Sequence, residues 1–225
     1  ATPRRASAGQ PARSPKRAPE ATIAVLPADH YIADADDFCA HLSAAMDAAD
    51  QNIVLLGLVP TRPETGYGYI KQGELQGEVE GRPVMRVEAF KEKPDALTAE
   101  QYLADGGYLW NSGMFIYKAP VMLAAIEKHM PELAEGLAKL TKAKKIRDTY
   151  PTLPSVSIDY GVMEKEREAL LVLPSNFAWS DVGSWEAAHE VFLRDDNGNV
   201  VLGDAILDNV HNSLIDARSG RLVAV

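Results

Sequence analysis

The feature that most constrains the fold is a strand–helix–strand succession over residues 23–58. Residues 23–26 form a short apolar run, which is typical of a strand covered on both faces. Residues 34–49 repeat apolar side chains at helical spacing, and residues 53–58 form a second apolar run. Two buried strands joined by a helix favour a parallel sheet. The pattern therefore predicts an α/β fold.

The middle of the chain changes character. Three glycines punctuate an acidic stretch over residues 73–81, which predicts an exposed hairpin or loop. Residues 84–90 are typical of a strand. Thr98 followed by Gln101 forms a capping-box pattern, which predicts a helix that begins there and ends at Gly106.

The two ends of the chain differ from its body. Residues 1–20 are rich in proline, alanine, arginine and serine and lack apolar periodicity, so we predict a disordered or non-native leader. Residues 21–194 are predicted to form the α/β domain. In residues 195–225, short apolar steps alternate with turn residues, which indicates the start of a β-helix appendage.

Composition limits the partners. The net charge of −9 argues against nucleic acid as the main partner. Cys39 is the only cysteine, so no intramolecular disulfide can form, and this suits a reducing compartment such as the cytoplasm. No apolar run approaches the length of a membrane span, so we predict no membrane partner. A homo-oligomer is compatible with these features.

Two acidic residues follow predicted buried strands. Asp29 lies in the segment LPADH, after the run at residues 23–26, and Asp181 lies in WSDVGSW, residues 179–185, after an apolar run at residues 170–173. Two carboxylates at the ends of separate strands can hold one magnesium ion, and magnesium usually brings phosphates with it. The sequence therefore predicts a Mg²⁺ site that handles phosphate groups.

Two further segments are candidates for ligand contact. The segment ETGYGYI, residues 64–70, places glycines and tyrosines where a sugar could be held, although a tight turn entering a strand explains it equally well. In KEKP, a lysine at a strand end can pair with a phosphate. Period two sends Lys91 and Lys93 to one face and Glu92 to the other, unless a kink before Pro94 rotates them. An exposed charged turn is the alternative.

Polar groups also interrupt the apolar run over residues 109–117. Asn111 and its neighbours could face a hydroxyl-bearing ligand, or they could mark a β-bulge at which the amide caps nearby backbone. Asp159, in the segment SIDYG, could face the same ligand or sit in the first turn of a helix.

Taken together and in order, these segments resemble those of a known family, the mannose-1-phosphate guanylyltransferases. The matching segments are LPADH, TRPETGYGYI, FKEKPD, YLWNSGMF, SIDYGVMEK, WSDVGSW and DNGNV. The resemblance runs from about residue 23 to the C-terminus and is closest to the bacterial type. It implies a nucleotide-diphospho-sugar transferase-like, Rossmann-like mixed sheet. It also implies nucleotidyl transfer from GTP to mannose 1-phosphate, which gives GDP-mannose and pyrophosphate.

The resemblance also assigns roles to individual residues. Asp29 and Asp181 match the aspartates that bind Mg²⁺, and Lys93 matches the lysine that holds the sugar phosphate. The remaining matches are substrate-binding residues, namely Gly66, Tyr67, Glu92, Asn111, Asp159 and Lys165. Because the attacking phosphate oxygen is already anionic, no side-chain nucleophile is required, and His30 beside Asp29 is predicted to be structural.

One family signature has no match here. The glycine-rich loop of the form GGxGTRLxPL(S)xxxPK, which cradles the triphosphate, does not occur in the sequence. The resemblance therefore implies a fold that is incomplete at its N-terminus and an activity that is impaired in this chain by itself. Two alternatives stay open: a pyrophosphorylase for another hexose 1-phosphate, and a non-catalytic protein that binds a sugar phosphate or pairs with an intact subunit.

Overall fold

The structure of the chain, a computed structural model, describes residues 20–140 and 143–225. The predicted leader lies outside the described residues except for Glu20. The chain divides into two compact units. The first contains the described residues up to Leu26 together with Asp36–Asn176, and the second contains Pro27–Ala35 and Phe177–Val225.

Strands and helices are interspersed along the chain, and its last four elements are all strands. In order, they are β1 (Thr22–Val25), β2 (Tyr31–Ile32), α1 (Ala35–Ala48), β3 (Ile53–Leu58), β4 (Tyr69–Val79), β5 (Arg82–Lys91), α2 (Ala96–Asp105), β6 (Tyr108–Lys118), α3 (Ala119–His129), α4 (Pro131–Lys139), α5 (Ala143–Thr149), β7 (Leu170–Ser175), β8 (Trp179–Ser180), α6 (Trp185–Val191), β9 (Val200–Gly203), β10 (Ala205–Ile206), β11 (Leu214–Ala217) and β12 (Val223–Ala224). A 3₁₀ turn at Tyr150–Thr152 and a π-helical turn at Asp159–Met163 lie between α5 and β7. Among the described residues, no helix has both the length and the apolar character needed to cross a membrane.

The first unit is built on a six-stranded mixed sheet in the order β1-β6-β3-β7-β5-β4. β3 is parallel to β7, whereas β6 lies between β1 and β3 and is antiparallel to both. The mixed sheet implied by the resemblance is confirmed, and the purely parallel sheet favoured by the strand–helix–strand pattern is wrong. The strand–helix–strand pattern predicts only that β1 and β3 run in the same direction, and they do, since both are antiparallel to β6. The strand between them comes from later in the chain, where periodicity does not indicate a partner.

The core of the first unit lies along β3, whose six residues are all buried. Ile53 and Leu55 pack with Phe115 of β6 and Val172 of β7. Gly57 allows the neighbouring strands to approach closely, because a Cβ there would lie 2.6 Å from the side chain of Val172. The continuous apolar run seen in the sequence is thus the centre of the sheet, covered on both faces.

The sheet is flanked by a hairpin and by helix α2. β4 and β5 form the antiparallel hairpin predicted from the spaced glycines. Helix α2 begins two residues earlier than the capping-box pattern predicts. Its N-cap is Asp95, whose carboxylate accepts a hydrogen bond from the N–H of Thr98 at 2.8 Å. The prediction failed because an aspartate is an equally good cap and stood three residues before the threonine. The helix ends at Gly106 with φ 70°, as predicted.

A buried carboxylate joins α3 to the loop that leads into β7. Glu166 is 2% exposed and accepts hydrogen bonds from the backbone N–H groups of residues 167, 168 and 169 at 2.8 to 3.2 Å. It also contacts the side chains of His129 at 2.8 Å and Lys128 at 3.3 Å. Burial alone would raise the pKa of Glu166, but these donors lower it to about 2. Glu166 is therefore a structural junction.

The second unit combines a small antiparallel pair with short parallel strands. β2 pairs with β8, so that Tyr31 faces Ser180 and Ile32 faces Trp179. β9 pairs in parallel with β11, and β10 pairs in parallel with β12. Each parallel pair joins two strands with one other strand between them in the chain, which is how successive coils of a β-helix stack, in agreement with the predicted fold class.

Candidate functional site

The turn at the end of β5 carries the residues matched to the sugar phosphate. Lys93 has φ 46°, in the left-handed region that non-glycine residues rarely adopt. Its N–H donates to the carbonyl of Tyr67 at 3.2 Å, which ties the turn to the segment entering β4. The kink before Pro94 is therefore present, and it breaks the alternation that would have placed both lysines on one face.

Glu92 lies inside this turn with an incompletely satisfied carboxylate. Its Oε2 atom is buried and has no hydrogen-bond partner among the described residues. The pKa of Glu92 is raised to about 7, first by burial and then by the charge of Asp159, while Lys93 opposes the rise and Glu164 adds to it. A Cβ on Gly68 would lie 2.4 Å from Oε2, so the glycine leaves the room that this oxygen occupies. A ligand hydroxyl is the kind of donor that would satisfy it.

Asn111 and Asp159 lie beside Glu92. The Nδ2 of Asn111 donates to Oδ1 of Asp159 at 3.2 Å, while its Oδ1 accepts from the N–H of Gly113 at 3.2 Å. The bulge interpretation of this segment is therefore confirmed, whereas contact of Asn111 with a ligand stays a prediction. The register of β6 against β3 shifts here, as in a bulge, and the amide caps nearby backbone and also contacts the acid. Burial raises the pKa of Asp159. Hydrogen bonds to this residue and the positive charge of Lys93 lower the pKa and so oppose the rise.

The segment before β4 forms an aromatic wall in the first unit. Gly66 is held by its N–H, which donates to Glu64 at 3.0 Å. The Tyr67 ring meets the Trp110 ring edge-on with centroids 5.2 Å apart, and the Arg62 guanidinium lies 5.6 Å from the Trp110 ring. Flat rings beside a glycine turn are suited to contact with the apolar faces of a sugar ring.

Glu164 is a residue of this cluster that sequence reasoning missed. Its Oε1 accepts from the backbone N–H of Glu92 at 2.9 Å and from Nζ of Lys91 at 3.3 Å. The signal was present in the sequence, since Glu164 stands in the matched segment SIDYGVMEK, but only its neighbour was singled out. That neighbour, Lys165, is exposed, and within the described residues its side chain makes no bond to these acids.

The two residues matched to the metal lie in the second unit, around one imidazole. The β2–β8 pair brings the segments of Asp29 and Asp181 together, and the Nε1–H of Trp179 donates to Nδ1 of His30 at 3.1 Å. Burial lowers the pKa of His30, while the charges of Asp29 and Asp181 both oppose the shift. His30 thus accepts the hydrogen bond that orients Trp179, in accord with its predicted structural role. The negative charges of Asp29 and Asp181 both favour the protonated form of this imidazole ring.

The turn that presents Asp181 is conformationally unusual. Val182 has φ 49°, which is a costly conformation for a β-branched residue. The N–H of Gly183 donates to Oδ1 of Asp181 at 3.2 Å, and a Cβ on Gly183 would lie 2.5 Å from the other carboxylate oxygen. Gly183, two residues after the acid, therefore allows the carboxylate to fold back over the turn.

The donor set of Asp29 and Asp181 fits a hard divalent cation. Within residues 20–140 and 143–225, no group of three or more His, Cys, Asp and Glu side chains could hold a metal. Mg²⁺ commonly takes one or two carboxylates and completes its shell with water and phosphate oxygens. The two carboxylates of Asp29 and Asp181 therefore suit a hard divalent cation that binds oxygen atoms.

Comparison with known proteins places the chain among related sequences. A family model described as nucleotidyl transferase matches residues 11–198. The chain is 41% identical over 212 residues to the alginate biosynthesis protein AlgA of Pseudomonas aeruginosa, covering 90% of the chain and 43% of that protein. It is 39% identical over 210 residues to the mannose-1-phosphate guanylyltransferase of Escherichia coli, covering 89% of the chain and 44% of that protein.

A solved structure is similar over most of the fold. It is a protein of Thermus thermophilus named mannose-1-phosphate geranyltransferase, with a TM-score of 0.85 and 38% identity. The match covers 95% of this chain and 62% of the other. The chain spans less than half the length of the two curated relatives above.

Proposed function

The chain belongs to the nucleotidyl transferase family, and we propose that its function is guanylyl transfer from GTP to mannose 1-phosphate. An oxygen of the sugar phosphate attacks the α-phosphorus of GTP and forms a new phosphorus–oxygen bond. The bond between the α-phosphorus and the bridging oxygen breaks, and pyrophosphate leaves. The products are GDP-mannose and pyrophosphate. The name of the E. coli relative, which is 39% identical, supports this reaction.

The observation that carries the proposal is the arrangement around Glu92. Carboxylates of Glu92 and Asp159 lie beside the amide of Asn111, next to the amine of Lys93. Carboxylates and an amide are hydrogen-bond partners for sugar hydroxyls, whereas an ammonium group pairs with a phosphate. One cluster therefore offers partners for both halves of a hexose 1-phosphate.

The residues in the first unit have distinct proposed roles. Lys93 neutralises the sugar phosphate, Glu92 and Asp159 accept hydrogen bonds from hydroxyl groups, and Asn111 orients Asp159 and donates to the sugar. Gly66 and Tyr67 contact the ring. Lys165, exposed beyond the end of the π-helical turn, stays a predicted substrate-binding residue.

In the second unit, Asp29 and Asp181 are proposed to hold Mg²⁺. When bound, the ion neutralises nucleotide phosphates and favours in-line attack at phosphorus. The chain itself needs no general base, because the attacking phosphate oxygen is already anionic at neutral pH. Its own contribution is to fix the sugar phosphate and to neutralise its charge.

A turnover assay with a matched variant tests the proposal. The chain is incubated with GTP, mannose 1-phosphate and MgCl₂, and GDP-mannose is quantified by anion-exchange chromatography. Because the sequence lacks the glycine-rich loop that cradles the triphosphate, we expect only slow magnesium-dependent formation of GDP-mannose. We expect that rate to fall by roughly a hundredfold or more in Asp181→Asn, which removes one carboxylate charge with little change in shape. Mannose 1-phosphate binding without any GDP-mannose would overturn the reaction and favour a non-catalytic sugar-phosphate binder. Equal turnover of glucose 1-phosphate would overturn the choice of sugar.

A further inference from the structure

Two acids five residues apart reach the Glu92–Lys93 turn from one short segment. Asp159 opens the π-helical turn, and the N–H of Glu164 donates to the carbonyl of Asp159 at 2.9 Å. A π-helix closes its hydrogen bond after five residues instead of four, so a residue and the fifth one after it come to lie on the same side. Such turns are rare and concentrate at functional sites.

In this position, the Glu164 carboxylate binds the backbone of the Glu92–Lys93 turn rather than a ligand. Its Oε1 accepts from the Glu92 N–H at 2.9 Å, immediately before the residue with the left-handed backbone. The next N–H, that of Lys93, is held by the carbonyl of Tyr67 at 3.2 Å. Two consecutive backbone donors are therefore anchored to two different segments. A strained backbone conformation persists only where its surroundings fix it in this way.

We propose that Glu164 is a positioning residue of the sugar-phosphate site. Its carboxylate fixes the backbone of Glu92 and so holds the turn that presents the Glu92 carboxylate and the Lys93 amine to the ligand. This inference rests on the proposed function, since it assumes that the turn binds a sugar phosphate. It assigns to Glu164 a role through the backbone and not through direct contact with substrate.

Three variants at this position separate the hydrogen bond from the charge. Glu164→Ala removes both, Glu164→Gln keeps an acceptor oxygen of the same reach, and Glu164→Asp keeps the charge but is one methylene shorter. Lys91→Met is the matched control, because it removes the cation that shares Oε1 and leaves the Glu92 N–H bond intact.

The first measurement needs no ligand. Amide hydrogen exchange of Glu92 and Lys93 is followed by NMR, with the amides of β3 as an internal check that the sheet is folded. We expect exchange at Glu92 to rise by about tenfold or more in the alanine and aspartate variants, and by less than about threefold in the glutamine and Lys91→Met variants. Unchanged exchange in the alanine variant, or equal acceleration in Lys91→Met, would overturn the proposal.

The second measurement is calorimetric titration with mannose 1-phosphate. We expect affinity to fall by roughly tenfold in Glu164→Ala and Glu164→Asp and to recover to within about threefold of the parent in Glu164→Gln. If the alanine variant fails to fold, the affinities of Glu164→Asp and Glu164→Gln are compared with each other instead. Equal affinity in those two would contradict positioning through the backbone. Absence of binding to the parent chain, with the exchange pattern as expected, would refute the proposed substrate and leave the role in the turn standing.

Discussion

Two glutamates of the first unit, Glu92 and Glu166, show opposite ways of burying a carboxylate. Glu166 is surrounded by donors, with three backbone N–H groups, a histidine and a lysine around it, and its pKa is lowered to about 2. Glu92 is half-buried beside other acids, keeps a buried oxygen without a partner among the described residues, and has its pKa raised to about 7. The two residues are chemically identical, so the difference lies entirely in their surroundings.

The difference separates a structural acid from a functional one. A carboxylate whose acceptors are all satisfied contributes to stability and has nothing left to offer a ligand. A carboxylate held among like charges with an unused oxygen costs stability in the free protein, and such sites are where ligands bind. The comparison therefore predicts that removing each acid has effects of opposite sign on folding.

The largest expected effect is on the structural acid. Glu166→Ala leaves buried backbone donors without a partner, so we expect the free energy of unfolding to fall by about 3 to 5 kcal/mol, measured by urea denaturation. The control is Glu168→Ala, whose side chain is 86% exposed and should change stability by less than about 0.5 kcal/mol. If the free energy of unfolding fell by less than about 1 kcal/mol in Glu166→Ala, the contrast between Glu166 as a structural acid and Glu92 as a functional one would not hold.

The next largest effect is expected from a substitution at Gly68 that fills the space occupied by the Glu92 carboxylate. In Gly68→Ala the new Cβ would lie 2.4 Å from Oε2 of Glu92 and 3.1 Å from Cβ of Asn111. We expect the affinity for mannose 1-phosphate to fall by roughly tenfold or more and stability to fall by about 1 to 3 kcal/mol. Gly107→Ala, where a Cβ meets nothing within 4 Å, is the matched control. Parent-like binding by Gly68→Ala would argue that Glu92 does not contact the ligand.

The opposite sign is expected for the functional acid. Glu92→Gln removes a charge that burial and the neighbouring Asp159 disfavour. We expect the free energy of unfolding at pH 8 to rise by about 1 to 2 kcal/mol, a range that allows for partial exposure of the group, while mannose 1-phosphate affinity falls by about tenfold. A variant that is less stable than the parent at pH 8 would break the comparison.

The smallest effect is the pH dependence that distinguishes the two acids. Because the pKa of Glu92 rises from 4.5 to about 7 on folding, the folded chain holds a proton that the unfolded chain releases. Stability from this group therefore falls as the pH rises between those values. Glu166 acts in reverse, since its pKa falls from 4.5 to about 2, and its contribution is complete above 4.5 and lost toward pH 2.

The pH experiment compares the parent chain with Glu92→Gln. The groups that face Glu92 are Asp159, Glu164 and Lys93, and all of them remain in the variant. The difference in unfolding free energy should be near zero at pH 4.5 and should reach its maximum above pH 7. A difference that is constant across this interval would show that Glu92 does not titrate in it.

Much of the fold could be predicted because it follows from local patterns. The apolar run of β3 and the glycine that ends α2 are each explained by properties of a few neighbouring residues. The insertion of β6 between β1 and β3 could not be predicted from periodicity, since strand order depends on contacts between distant segments. The prediction of the N-cap of α2 failed for a different reason. Two residues that can cap a helix, Asp95 and Thr98, lie three positions apart, and the first of them forms the cap.

The candidate site shows a similar division. Resemblance singled out the residues around the Glu92–Lys93 turn, but it did not indicate that Lys93 would adopt a left-handed backbone or that Glu92 would keep an oxygen without a partner among the described residues. Glu164 was missed because its contribution is a hydrogen bond to backbone, and that depends on a π-helical turn which has no clear sequence signal. Contacts of this kind appear only when the segments are brought together.

The most direct test of the account is calorimetric titration of mannose 1-phosphate into the parent chain and into Lys93→Met. Methionine is unbranched and matches the lysine side chain up to Cε, and the backbone strain at φ 46° applies to both residues, so the main change is loss of the charged amine. The account predicts binding to the parent, a loss of about tenfold or more in the variant, and cooperative urea unfolding of both proteins, which shows that the variant is folded. Equal affinity for the two proteins would contradict the assignment of this turn as the sugar-phosphate site.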